Sequence, residues 1–117
     1  MLNHVVMMKF KPDVTDEQIA ILEKMLDDLP NRIIEIHTYE FGRDVIRDER
    51  SYDFALVSLF ANPEALQGYK THSEHLKVVE VLNEVCDHII TVDFYGTDAG
   101  SLKDFSPEPG LEKMFKP

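Results

Sequence analysis

Positive charge is scarce in this chain. Only 12 Lys and Arg stand against 22 Asp and Glu, a formal net charge of −10. A nucleic-acid binder displaces counterions from phosphates with clustered Lys and Arg, and no such cluster exists here. An anionic membrane surface is disfavoured for the same reason. Cysteine is almost missing as well. Cys86 stands alone, so no intrachain disulfide can form and nothing points to an oxidising compartment. Leu82 and Val85 are its expected helical neighbours, and no basic residue adjoins it to stabilise a thiolate. A buried structural thiol is the expectation. No apolar run approaches the roughly 20 residues of a membrane span. After Met1 there is neither the basic segment nor the small-residue cleavage site of a signal peptide, which leaves a cytoplasmic location as the expectation. No cofactor motif stands out, and no cofactor is expected.

What is present fits one α+β domain. The chain has 117 residues, 44% of them hydrophobic, and a chain of that size buries roughly two-thirds of its unfolded surface. Leu2 to Phe10 reads as a strand with His4, Val6, Met8 and Phe10 on one face, and Val5 and Met7 make the other face apolar too. Thr15 opens a helix: with Gln18 three positions on it fits a capping box. Ile19, Leu22, Leu26 and Leu29 follow at helical spacing, and Pro30 is expected to end the helix. Ile33 to Phe41 predicts a second strand with a flaw. Ile34 and Ile36 share one face while Tyr39 and Phe41 share the other, which a bulge or bend would reconcile. Gly42 to Ser51, with Asp44, Asp48 and Glu49 among Arg43, Arg47 and Arg50, reads as a solvated loop.

Tyr52 to Phe60 is a third strand, again largely apolar on both faces. Asn62-Pro63-Glu64 starts a short helix to about Tyr69. Ser73-Glu74 restarts helix, carried by Leu76, Val79, Leu82, Val85 and Cys86. His88 to Tyr95 is the fourth strand. The order strand, helix, strand, strand, helix, strand is the split β-α-β pattern of ferredoxin-like folds, with a four-stranded antiparallel sheet. Helices cover one face of such a sheet. Strands that are apolar on both faces need a second cover, and another copy of the chain is the simplest one. Residues 1–96 make this domain. The extension at 97–117 holds Leu102, Phe105, Leu111, Met114 and Phe115, more large apolar residues than a disordered tail carries, and is expected to pack on the domain or the partner.

Several segments together resemble the stress-responsive A/B barrel (Dabb) family. They are His4-Val5-Val6-Met7-Met8-Lys9-Phe10-Lys11, Thr15-Asp16-Glu17-Gln18, Tyr39-Glu40-Phe41-Gly42-Arg43-Asp44-Val45, Phe60-Ala61-Asn62-Pro63-Glu64-Ala65-Leu66, Tyr69-Lys70-Thr71-His72-Ser73-Glu74-His75 and Val92-Asp93-Phe94. The resemblance covers about residues 3–95. It implies a homodimeric α+β barrel of two facing four-stranded sheets. The family includes plant stress proteins and a plant polyketide cyclase, so it does not by itself fix a function.

Aldol-type cyclisation needs a base for a proton next to a carbonyl and a donor for the oxyanion that forms. The resemblance to the cyclase branch implies His75 as base and Tyr69 as donor, with His72 between them. It puts His4, Val6, Met8, Leu22, Leu26, Phe54 and Leu56 around the substrate pocket. Four positions depart from that branch: Phe54 stands in place of a pocket histidine, and Leu22, Glu23 and Leu26 stand in place of three residues dominated by aromatics. Structural readings compete. His75 can serve as a hydrogen-bonded residue of a first helical turn, Tyr69 as a part-buried residue with a satisfied hydroxyl, and His4 as a core histidine. For zinc the pair His72-x-x-His75 needs a third and fourth ligand; His4 or Glu74 could serve, but neither spacing is diagnostic, and no metal is expected. Two function classes remain: an acid/base enzyme acting on a small, partly apolar carbonyl compound, and a non-catalytic stress-response or ligand-binding homodimer. A monooxygenase of the same barrel architecture ranks below both.

Overall fold

The computed structural model describes residues 1–102. The expected packing of Phe105, Leu111, Met114 and Phe115 lies outside the described residues. The elements run β1 (Leu2–Phe10), α1 (Asp16–Arg32), β2 (Thr38–Arg43), β3 (Phe54–Phe60), α2 (Pro63–Thr71), α3 (Ser73–Val85) and β4 (Cys86–Tyr95). The strands form one antiparallel sheet in the order β2-β3-β1-β4. This is the ferredoxin-like arrangement, with its second helical stretch broken in two.

The capping box at Thr15 forms in full: Gln18 N–H donates to Thr15 Oγ1 at 3.2 Å and Thr15 N–H to Gln18 Oε1 at 2.8 Å. Pro30 does not end α1. The helix continues to Arg32. A proline so close to a helix end removes one backbone donor, and the burial of Leu29 and Ile33 on either side, at 2% and 1% exposure, outweighs that loss. The flawed strand resolves by shortening rather than by a bulge. Residues 33–37 form a turn that leaves Ile34 exposed, and only the Tyr39/Phe41 half enters the sheet. The expected 42–51 loop begins two residues later, because Gly42 and Arg43 pair with Ala55 and Phe54. Cys86 is not helical. It opens β4, half-buried, and burial pushes its thiol up to about 11.

Alternation and register divide the sheet residues cleanly. Leu2, His4, Val6 and Met8 of β1 and Phe54, Leu56, Ser58 and Phe60 of β3 lie on the helix-covered face and are buried. They pack with Leu22, Leu26 and Leu29 of α1 and with Leu66, Tyr69, Val78 and Leu82 of the later helices. The expected anchor Leu76 is 50% exposed, and Val78 is buried in its stead. On the other face lie Val5, Met7, Ala55, Val57, Leu59, Ile90, Val92 and Phe94, which no described helix covers.

Candidate functional site

A cleft of about 280 Å³ lies between α3 and the β1–β4 side of the covered face. His4 and Val6 of β1 form its floor, Ile89 and Thr91 of β4 one wall, and His75, Val79, Leu82 and Asn83 of α3 the other. Lys70, near the end of α2, completes it. A larger hollow of about 330 Å³ opens between Met7, Gly42 and Ala55 and the loop residues Arg50 and Tyr52, but its walls hold no histidine.

The break between α2 and α3 builds the site. His72 is the N-cap of α3, where its Nδ1 accepts from Glu74 N–H at 3.0 Å. An N-cap leaves the helical conformation, and that departure turns the chain so that His75 Nδ1 lies 3.0 Å from the Lys70 carbonyl oxygen. A carbonyl only accepts, so His75 Nδ1 carries the proton and Nε2 keeps its lone pair. His75 is held below its ordinary pKa. Burial is the main cause, partly offset by the Lys70 carbonyl and reinforced by nearby positive charge at His4, Lys70 and His72. It is neutral near pH 7, the state a base requires.

Tyr69 packs its ring 4.3 Å from that of His75 and 4.9 Å from that of Phe60. Its side chain is buried, and its hydroxyl bonds the Tyr39 hydroxyl at 2.7 Å. Burial raises Tyr69 to about 12, against the Tyr39 bond, which lowers it. Burial raises Tyr39 further. Tyr69 therefore lies behind His75 rather than in the cleft wall.

His4 is the register partner of Asp93 across the β1–β4 ladder. Directly paired residues project to the same face, and His4 Nδ1 meets Asp93 Oδ1 at 2.5 Å. A carboxylate on Nδ1 fixes the tautomer and orientation of the ring. His4 also sets its ring edge-on to Tyr69 and Phe60.

The structure thus gathers His4, Val6 and His75 in one cleft, with Tyr69 in contact behind them. His72 caps a helix instead of lining it. Met8, Leu22, Leu26, Phe54 and Leu56 sit in the packed core at 3% exposure or less, outside the cleft walls. Sequence reasoning missed Asp93, Lys70, Asn83 and Thr91. Asp93 had a readable signal: it is the one acid of the 88–95 stretch read as a strand, in phase with Ile89 and Thr91. Among the described residues no group of three or more His, Cys, Asp or Glu is arranged to hold a metal, and no helix is long and apolar enough to cross a membrane.

Comparison with known proteins agrees with the fold. The stress-response A/B barrel domain-containing protein HS1 of Arabidopsis thaliana is 26% identical over 98 residues, 82% of this chain and 90% of that protein. A dimeric protein of unknown function and ferredoxin-like fold from Bacteroides fragilis superposes with a TM-score of 0.72 at 26% identity, covering 81% of this chain and 95% of the other. The hydroxynitrile lyase of Passiflora edulis shares the fold, with a TM-score of 0.75 at 17% identity over 83% of this chain and 94% of its own. The model of the stress-responsive A/B barrel domain (Dabb) matches residues 2–95, and the chain belongs to that family.

Proposed function

We propose that the chain is a homodimer whose clefts carry out acid/base chemistry on a small, partly apolar carbonyl compound, of the aldol type that polyketide cyclases use. The observation that carries this reading is His75, a half-buried neutral imidazole with Nδ1 committed to a carbonyl and Nε2 left basic. Its surroundings are Val6, Val79, Leu82 and Ile89, walls suited to an apolar body.

In the proposed step His75 Nε2 takes the proton from the carbon next to the carbonyl. The C–H electron pair moves into the new C=C bond, and the carbonyl π pair moves onto oxygen, giving an enolate. Tyr69 donates to that oxygen, with Tyr39 donating in turn to Tyr69, and His4 held by Asp93 orients the carbonyl. Because Tyr69 lies behind the His75 ring, this step includes an extension of the cleft past His75 as the substrate binds. Pairing of two copies is supported by the uncovered apolar sheet face and by the dimeric relative from Bacteroides fragilis.

The test is deuterium incorporation. Methyl benzoylacetate in D₂O, followed by proton NMR, exchanges its α-protons faster with the protein than in buffer alone. His75→Gln abolishes that acceleration, and Tyr69→Phe reduces it. Full acceleration with His75→Gln contradicts the assignment of the base. A second reading, ligand binding without turnover, is favoured by the likeness to a protein named for stress response. Binding of the same compound with no acceleration identifies it.

A further inference from the structure

The walls of the cleft contrast in charge with the rest of the molecule. The chain carries a formal charge of −10, yet no Asp or Glu lines this cleft, and Lys70 does. The acids nearby are already engaged: Asp93 Oδ1 bonds His4, and Glu74 Oε1 pairs with Lys77 at 3.1 Å. Lys70 itself makes no ion pair among the described residues. The Asn83 amide and the Thr91 hydroxyl lie on the opposite walls, and neither makes a side-chain hydrogen bond within the described residues. An unpaired ammonium at the His75 end of a cleft that also holds two unengaged polar groups and an apolar floor is a complementary surface for one kind of molecule.

We infer that the cleft takes an anionic ligand, a carboxylate attached to an apolar body, with Lys70 as the residue that recognises the charge. The inference rests on the reading of the cleft as the site of carbonyl chemistry. It narrows that reading to oxo acids in preference to their neutral esters or amides. The carboxylate meets Lys70, the apolar body lies along Val6, Leu82 and Ile89, and the carbonyl comes between them, beside His75. The net charge of the chain opposes the approach of an anion in general, and Lys70 offsets that opposition at the cleft.

The probes are benzoylacetate and its methyl ester, which share their carbon skeleton and differ in charge. Dissociation constants come from chemical-shift changes in the His75 and Thr91 signals during NMR titration, so the result does not depend on turnover. Wild type binds the acid more tightly than the ester. Lys70→Met weakens acid binding about fivefold, the scale of one partly exposed ion pair, and leaves ester binding unchanged. Lys70→Glu reverses the preference. Because Lys70 is exposed, neither variant threatens the fold, and unchanged amide spectra elsewhere verify that. Equal or tighter binding of the ester by wild type overturns the inference. So does an acid preference that survives both substitutions, and so does the absence of binding by either probe at millimolar concentration. The acid preference together with no deuterium exchange retains this inference and contradicts the proposed reaction alone.

Discussion

On the helix-covered face of the sheet Leu2, Val6, Met8, Phe54, Leu56 and Phe60 are at most 7% exposed, whereas on the opposite face Val57, Ile90, Val92 and Phe94 are at least 42% exposed. The two sets are alike in chemistry. They differ only in what lies above them. One layer of helices shelters one side of this four-stranded sheet, so the apolar residues of the second side serve no purpose in an isolated chain. Strand β4 belongs to both sides: Ile89 and Thr91 line the cleft while Ile90 and Val92 face away from it. The covered side holds the proposed site at its β4 margin, and the bare side is the surface proposed for a second copy.

The contrast between the faces can be broken by the same kind of truncation on each. Leu22→Ala, on the helix that roofs the covered face, removes a side chain with no exposure and costs about 2–5 kcal/mol of stability by denaturant titration. Tyr39→Phe sharpens the picture nearer the site. It strips the Tyr69 hydroxyl of its partner, and a buried hydroxyl left unpaired costs about 1–3 kcal/mol in the same titration. Val57→Ala, in the middle of the bare face, changes the stability of a single chain by no more than about 0.5 kcal/mol while weakening self-association.

The smallest effect is the pH dependence of His75. Its folded pKa lies below the unfolded value of about 6.5, so in the window beneath that value the unfolded chain binds more protons than the folded one. Stability therefore falls as pH drops through 6.5 toward the lowered folded value. His75→Gln flattens that part of the stability curve, and the difference between the two curves isolates the contribution.

Much of this was readable from residues. The Thr15 capping box, the Asn62-Pro63 start and the two-faced strands each rest on local signals, and each appears as expected. The misses have a common cause, which is competition between local and tertiary terms. Pro30 is a local stop signal that the burial of Leu29 and Ile33 overrides. The 33–41 segment carried its own warning, since Ile34 and Ile36 are out of phase with Tyr39 and Phe41, and the out-of-phase half is the turn. For the site, the Tyr69-to-His75 spacing did bring those two rings together. What spacing could not reveal was that His72 would be used as a cap, or that Asp93 would meet His4. The first depends on where one helix breaks, the second on register between strands that pair residues 89 apart.

Sedimentation velocity at micromolar concentration puts the two-sided account to its most direct trial. The account predicts a mass near two chains of 13.5 kDa each, dropping to one chain when Val57 and Val92 are both replaced by lysine. A wild-type protein that sediments as a single chain would leave the bare face without a partner and contradict it.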